Sequence, residues 1–459
     1  MKLIRSHKPG SKIATLVYIV FALFLGIFGI VTSQIGMDGG PDIWAQVYRI
    51  DSILNGDVTA HPVTTASYWY SNPDENYGGA VSWDMVNLSL EHPDWKRLSL
   101  PYDGTVTKYD DKTADMVFSN TAIYSPLSYI PYLPTLAASR ALGLDAATSY
   151  YLMEIVGLLF FIAITSIAIN LLPSFKTKIV LIILLLSPFF AGLMFWKILF
   201  PFVWALSGVG TSPAFYITTD TTVTSMAILL ACSMARSCVK PPGRLLSLVM
   251  VVAAALLAFG KFAYAPLLFA PLLLMILHRK MRGRYILIIG CAISLVALVA
   301  WTSLFGSHPV TDNVSAAETS RRLHGIFTDP LNFLANVGWN IITLRGEADT
   351  SPIWENCMMG VLYAMMLFVI IASIISRAKG HISKRQLAYR IIGTLFVFAS
   401  MLAIYTAEYL KFDDMQNFGI NGIQPRYILP LVVFLLPMVC GYIGKRKHTQ
   451  TTSRVRVFR

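Results

Sequence analysis

The clearest shortage in this sequence is of charge: Asp, Glu, Lys and Arg together make up 14% of its 459 residues, whereas a soluble domain carries about 25%. Hydrophobic residues make up 55%. Runs such as KIVLIILLLSPFFAGLMF and RLLSLVMVVAAALLAFG have no polar face. A membrane span needs roughly 20 such residues. The sequence therefore predicts an all-α polytopic membrane protein and excludes an ordinary soluble one.

Acidic residues are absent from six segments, namely 1–12, 173–178, 235–244, 278–284, 377–390 and 445–459. These segments hold 24 of the 37 Lys and Arg and none of the 25 Asp and Glu. By the positive-inside rule they are cytoplasmic, which places both the N and C termini inside. The net charge of +12 is thus a topology signal, and no nucleic-acid partner is predicted.

Cysteine is scarce as well, and none of the five cysteines lies in the long segment 34–147. This segment therefore has neither a disulfide framework nor the spacing of a zinc site. Internal repeats and low-complexity tracts are also absent, so residues 1–459 are interpreted as a single integral membrane domain. Its first apolar run is too long for a signal peptide and lacks a clear cleavage site, which favours a membrane anchor.

Ten spans are predicted, at about 13–33, 148–171, 179–196, 219–235, 244–260, 262–278, 284–305, 357–376, 389–409 and 426–444. The segments 34–147 and 306–356 are then large extracytoplasmic loops. Two proline-containing stretches, 125–144 and 197–217, are also long enough to cross. If both crossed, the protein would have twelve spans. We prefer ten spans, with both stretches as external membrane-hugging or re-entrant elements.

The stretch PDIWAQVYRIDSILNG predicts an amphipathic helix over 41–55. Four apolar side chains at helical spacing form one stripe: Ile43, Val47, Ile50 and Leu54. Three polar side chains line a neighbouring face: Asp42, Gln46 and Arg49. We expect this helix to lie on the outer membrane surface, with Trp44 and Tyr48 at the interface. From position alone, Asp42 is explained as a carboxylate favoured by the helix dipole.

The same stretch, PDIWAQVYRIDSILNGD, resembles the opening motif of bacterial membrane proteins grouped as domain of unknown function 2142, which typically read Pro-Asp-Glu-Pro-x-His-x-x-Arg there. Further matches follow in the family's order: YSPLSYIPYLP (124–134), ITTDTTVTSMA (217–227), GKFAYAPLL (260–268) and GIQPRYILPL (422–431). They span most of the chain. The fold of that family looks like that of the GT-C glycosyltransferases, which use lipid-linked sugar donors.

The chain departs from the family pattern at three positions. Ile43 stands where the family has an acid, Gln46 where it has His, and Pro425 where Gly is usual. The obvious ligands of a metal are thereby lost from the first loop, so no metal site is predicted, and whether the protein uses a divalent metal is left open.

The resemblance implies that Asp42 is the catalytic base of an inverting sugar transfer, which takes a proton from the acceptor hydroxyl. Residues expected to support this base or orient the acceptor are Asp38, Gln46, Arg49 and Asp220. A polyprenyl phosphate leaving group calls for fixed cations. The candidates at outer membrane boundaries or in the second large loop are Arg426, Lys261, Arg321 and Arg322.

The expected function is therefore a GT-C-like glycosyltransferase in the bacterial cytoplasmic membrane, with its active site outside. Its partners would be a polyprenyl-phosphate-linked sugar, a cell-envelope glycan or lipid acceptor, and the bilayer. The alternative is a transporter or flippase for lipid-linked saccharides, which needs polar groups along a path through the bilayer. The sequence has few intramembrane charges and its polar residues concentrate in external loops, which favours surface chemistry.

Overall fold

The structure is a computed structural model, and it describes residues 9–32, 35–36, 42–67, 76–93, 107–108, 112–191, 216–305, 314, 316–343, 353–411 and 419–443. Most of these residues are helical. The predicted class, a helical membrane protein, is confirmed.

The first half contains α1 (Pro9–Thr32), α2 (Ile43–Leu54), α3 (Trp83–Glu91), α4 (Ser119–Ala122), a 3₁₀ turn (Pro126–Tyr129), α5 (Tyr132–Ala141), α6 (Ala146–Leu171) and α7 (Phe175–Ala191). The second half contains α8 (Thr219–Val239), α9 (Arg244–Gly260), a 3₁₀ helix (Phe262–Leu273) continued by α10 (Leu274–Leu277), α11 (Arg284–Phe305), α12 (Ala316–Thr328), α13 (Pro330–Thr343), α14 (Ile353–Ala378), α15 (Lys384–Lys411) and α16 (Pro425–Ile443).

Helical segments lie over all or most of each stretch in which the sequence predicts a span. Within the described residues, six helices are long and apolar enough to cross a membrane: Lys12–Thr32, Ala146–Leu171, Thr219–Val239, Arg284–Leu304, Met359–Ala378 and Lys384–Lys411. The total of ten spans and the side of each terminus stay predictions.

The helix α8 forms the centre of the bundle, because it packs against α6, α9 and α16. In the most apolar 18-residue stretch of α8, 78% of the residues are buried, compared with 17% in that of α11. Small hydroxyl side chains allow this close packing, and some of them donate to carbonyl oxygens of the helix itself. Ser225, for example, donates to the Thr221 carbonyl oxygen at 2.6 Å. Any charged group at the start of α8 is therefore surrounded by other helices.

The segment 34–147 contains a small antiparallel sheet that the all-α prediction omitted. Its strands are β1 (His61–Pro62), β2 (Tyr77–Ser82), β3 (Thr107–Lys108) and β4 (Thr113–Val117), in the order β1-β2-β4-β3. Gly78 pairs with Val117 and Ser82 with Thr113. These strands are short, and the interior of β2 is buried on both faces, so they lack the alternating pattern by which a strand is recognised in a sequence.

The sheet covers α2, and this arrangement corrects the predicted position of that helix. Trp44 and Tyr48 are fully buried, so their predicted place at the membrane interface is wrong. The indole Nε1 of Trp44 donates to the His92 carbonyl oxygen at 2.9 Å. Gly79 on β2 lets the helix approach, since a Cβ there would overlap Ser52 Oγ and other side-chain atoms. The amphipathic helix lies inside the protein and not on its surface.

Asp51 on α2 is the polar centre that joins this helix to its surroundings. Its fully buried carboxylate accepts from the Ser82 backbone N–H at 2.7 Å and from Asn55 Nδ2 at 3.0 Å. It also pairs with Arg140 of α5. This ion pair holds the helical part of 125–144 against α2.

Replacing Asp51 by Asn is expected to destabilise the protein by about 2 kcal/mol, because the Ser82 N–H loses its charged acceptor and the partly exposed Arg140 loses its counter-ion. Thermal unfolding of the purified protein in detergent would measure the change. Asp84→Asn is the matched control, because Asp84 is exposed at the start of α3. Equal unfolding temperatures of the Asp51→Asn and Asp84→Asn variants would contradict the role given to Asp51.

The stretch 125–144 forms the 3₁₀ turn and α5, of which α5 has 10 residues. At 1.5 Å per residue this helix is about 15 Å long, half the thickness of a hydrocarbon core. Tyr129 and Tyr132 are both fully buried. The other predicted membrane-hugging stretch, 197–217, lies almost entirely outside the described residues.

Candidate functional site

Asp42 holds the N-cap position of α2 in the left-handed conformation, with φ 76° and ψ 17°. It is the one non-glycine residue with positive φ among those that the structure describes. Its carbonyl oxygen accepts from the Gln46 N–H at 3.0 Å, yet its side chain makes no capping hydrogen bond. A left-handed backbone costs a non-glycine residue roughly 1–2 kcal/mol. Capping does not account for this carboxylate, and strain of this kind is concentrated at functional sites.

Arg426, near the start of α16, lies between two carboxylates. Its Nη2 is 3.9 Å from Asp42 Oδ2, and its Nε is 3.7 Å from Asp220 Oδ2. Both distances exceed the roughly 2.7–2.9 Å of a charge-assisted hydrogen bond. The Nε atom is buried and makes no hydrogen bond within the described part of the chain. Because buried donors are nearly always satisfied, this guanidinium has the capacity to bind a further acceptor.

Asp220 and Lys261 form a second ion pair beside Arg426. The Thr218 hydroxyl caps α8 by accepting from the Asp220 N–H at 3.2 Å, which places the carboxylate in the first turn, where the helix dipole favours it. Lys261 lies between the end of α9 and the following 3₁₀ helix. We call Asp42, Asp220, Lys261 and Arg426 the ion cluster.

Tyr427 forms one wall of the ion cluster. Lys261 Nζ is 4.2 Å and Arg426 Cζ is 5.3 Å from the centroid of its ring, so both cations lie within cation–π distance. The Tyr264 hydroxyl donates to the Tyr427 carbonyl oxygen at 2.7 Å. Glu408 of α15, itself buried, interacts electrostatically with Lys261. These contacts hold both cations in position.

The two acids of the ion cluster differ in access. The side chain of Asp42 is 24% exposed and that of Asp220 is 5% exposed. An acid that exchanges a proton with a substrate must be within hydrogen-bond reach of it. Asp42 therefore suits a base, whereas Asp220 suits a fixed counter-ion of the two cations.

Tyrosines of the YSPLSYIPYLP stretch extend the site behind Asp42. The Tyr129 hydroxyl donates to Gln46 Oε1 at 2.6 Å, and the Tyr132 hydroxyl donates to the Tyr216 carbonyl oxygen at 2.8 Å. The sequence identifies this stretch only as a match to the family pattern and predicts no role for its tyrosines. The structure shows that they join α2 to the start of α8.

The remaining predicted site residues lie apart from the ion cluster or outside the described residues. Arg49 is fully buried and donates to the carbonyl oxygens of Asp57 and Val58, at 2.9 and 2.7 Å. Burial lowers its pKa to about 10, and its contacts are those of a residue that fixes the end of α2. Asp38 lies outside the described residues.

Arg321 and Arg322 lie on α12 and both bind Glu318, each with an Nε–oxygen distance of 2.8 Å. Arg322 also donates to the Tyr409 carbonyl oxygen at 2.7 Å. Hydrogen bonds from the two arginines lower the pKa of Glu318 to about 2, so this acid stays charged at physiological pH. The two arginines thus bind groups on α12 and α15. Their assignment to a donor phosphate stays a prediction that these contacts do not support.

Replacing Lys261 by Met is expected to destabilise the protein by about 3 kcal/mol, because Asp220 stays buried with only the more distant Arg426 as partner. Replacing Asp220 by Asn as well should recover part of this loss, since the uncompensated charge is then gone. Thermal unfolding of the two single variants and the double variant gives the coupling energy. Strictly additive effects would show that the pair contributes no interaction.

The fold and the ion cluster together define a class: a polytopic helical membrane protein with paired charges around the first turns of α8 and α16. A family model described as "Predicted membrane protein (DUF2142)" matches residues 23–435. The chain belongs to this family. No curated protein matches the chain, and no solved structure does.

Proposed function

We propose that this protein is a GT-C-like glycosyltransferase, which moves a sugar from a polyprenyl-phosphate donor to a glycan or lipid acceptor of the bacterial cell envelope, on the outer side of the cytoplasmic membrane. The acceptor oxygen attacks the anomeric carbon, and its proton passes to Asp42. The bond from that carbon to the phosphate oxygen breaks, and polyprenyl phosphate departs with the electron pair.

The observation that carries the proposal is the position of the partly exposed Asp42 carboxylate beside Arg426. Asp42 has the position of a helix cap but makes no capping bond, and it is accessible beside a mostly buried guanidinium. A structural acid at a helix start would bind its own backbone N–H groups. Asp42 instead stands next to a cation that can bind phosphate.

The charges of the ion cluster suit the charge that develops on the leaving group. Within the ion cluster, the carboxylates of Asp42 and Asp220 balance the charges of Lys261 and Arg426 before the reaction. When Asp42 takes the acceptor proton it becomes neutral, and Arg426 loses one counter-ion. At the same moment the phosphate gains one negative charge. Arg426, no longer balanced by Asp42, is then available to stabilise the negative charge on the phosphate in the transition state.

The first loop does not fit a divalent metal at the positions where the family pattern has an acid and a histidine. Ile43 is 2% exposed and has no ligand atom, and Gln46 Oε1 already accepts from the Tyr129 hydroxyl. Neither position therefore supplies a metal ligand, and the proposed transfer uses only the side chains of the ion cluster.

The function is tested with the purified full-length protein in liposomes that contain a tritium-labelled polyprenyl-phosphate hexose and a lipid and glycan extract of bacterial envelopes. Transfer of label to the extract supports the glycosyltransferase. The competing function is a flippase. Movement of the label between leaflets without any acceptor, and with no transfer when the acceptor is present, would favour that function instead.

A further inference from the structure

A cavity of about 180 Å³ lies at the far end of the bundle from the ion cluster. Asp220 and Arg426 are in the first turns of α8 and α16, whereas the cavity touches Met234 near the end of α8 and Phe434 and Met438 farther along α16. Fourteen residues of helix separate Asp220 from Met234, which is roughly 20 Å. The cavity is therefore a separate site, and nothing in the proposed function depends on it.

The polar part of the cavity comes from the starts of α7 and α15. Ser174 and Thr177 supply hydroxyl groups, and Gln386, Tyr389 and Arg390 line the α15 side. The Nη1 atom of Arg390 is buried. A permanently charged guanidinium that shares a cavity with hydroxyl and amide groups is suited to bind a phosphate.

The cavity also has an apolar lining, with Leu172, Leu277 and Phe434 among its residues. A soluble phosphate gains nothing from such a wall. An amphiphile gains from both parts, since its headgroup meets Arg390 and its hydrocarbon meets the apolar side chains. The lining thus favours a lipid over a free phosphate.

The chain around the cavity is rich in basic residues. Its bordering segments 173–178, 235–244, 278–284 and 377–390 hold fourteen Lys and Arg and no Asp or Glu. Basic segments next to a membrane surface favour anionic lipids, because Lys and Arg near the surface attract their headgroups. The end of α8 lies in the same region. A hydrogen bond between His278 Nε2 and the Ser237 carbonyl oxygen, 2.7 Å long, holds it in place.

We propose that this cavity binds the phosphate headgroup of an anionic phospholipid, with Arg390 as the cation that contacts the phosphate and Thr177 as a hydroxyl donor. The occupant comes from the leaflet that the basic segments face, which the sequence predicts to be cytoplasmic. The protein would thereby carry two phosphate sites, at opposite ends of the same helices.

The test uses the full-length protein in detergent with fluorescent phosphatidylglycerol, and with phosphatidylcholine as the zwitterionic comparison. Arg390→Gln is expected to weaken phosphatidylglycerol binding about fivefold, the effect of one membrane-edge cation. Arg385→Gln is the matched control, because Arg385 is exposed on the same helix and does not line the cavity. Thr177→Val is a milder variant that keeps the side-chain shape and should weaken binding less.

Four results would overturn the proposal, three of them from the binding of the two lipids to the protein and its variants. The first is equal binding of both lipids, the second is unchanged binding by Arg390→Gln and Thr177→Val, and the third is an equal loss with Arg385→Gln. Glycerol 1-phosphate is the soluble comparison. If it displaced the fluorescent lipid as well as unlabelled phosphatidylglycerol does, the cavity would be a site for free phosphate.

Discussion

Asp42→Asn is expected to lower the rate of sugar transfer by roughly 10²- to 10⁴-fold, the range of a general base, while the protein folds normally. Asn has the same shape but cannot accept the acceptor proton. It also adopts the left-handed conformation more readily than most residues, so the φ of 76° at this position can be kept. Initial rates in liposomes with a labelled polyprenyl-phosphate hexose would measure the effect.

The matched control for this variant is Asp84→Asn, which removes an exposed acid at the start of α3 and should leave the rate unchanged. An Asp42→Asn protein that inserts normally and transfers sugar at the wild-type rate would show that the base is wrongly assigned.

Arg426→Gln is expected to lower kcat/KM for the donor by about 10³-fold, because the cation that faces the leaving phosphate is lost. Arg426→Lys should lie between this variant and the wild type. A lysine keeps the charge, but its single ammonium cannot lie between Asp42 and Asp220 as the planar guanidinium does. Steady-state rates at varied donor concentration would separate the loss of binding from the loss of turnover.

Arg321→Gln provides the comparison for an arginine outside the ion cluster. The Arg321 side chain is exposed and bound to Glu318, so its replacement should leave the kinetics with the donor unchanged. If Arg321→Gln lowered kcat/KM as much as Arg426→Gln does, the phosphate site would lie on α12.

Much of the helical bundle could be predicted from the sequence, because long apolar runs and the placement of Lys and Arg are direct physical consequences of a bilayer. The motifs also singled out all four residues of the ion cluster. Their pairing could not be predicted. That Arg426 lies between Asp42 and Asp220, while Lys261 pairs with Asp220, depends on how the starts of α8 and α16 pack together.

In the segment 34–147, neither the buried position of α2 nor the sheet that covers it could be predicted from the sequence. An apolar stripe on α2 is equally compatible with a membrane surface and with a covering sheet, and the short strands of that sheet left no periodic signal. The buried acid Asp51 is explained only when β2 and α5 are in place, because its partners Ser82 and Arg140 are distant in sequence.

A structure of the full-length protein with a bound polyprenyl-phosphate sugar tests the central claim most directly. We expect the donor phosphate to contact Arg426 and to lie within reach of Lys261, with the anomeric carbon facing the Asp42 carboxylate. The Arg426 Nε atom, which makes no hydrogen bond within the described residues, should then donate to a phosphate oxygen. A phosphate bound elsewhere, for example at Arg321 and Arg322 of α12, with the ion cluster unchanged, would contradict this assignment of the active site.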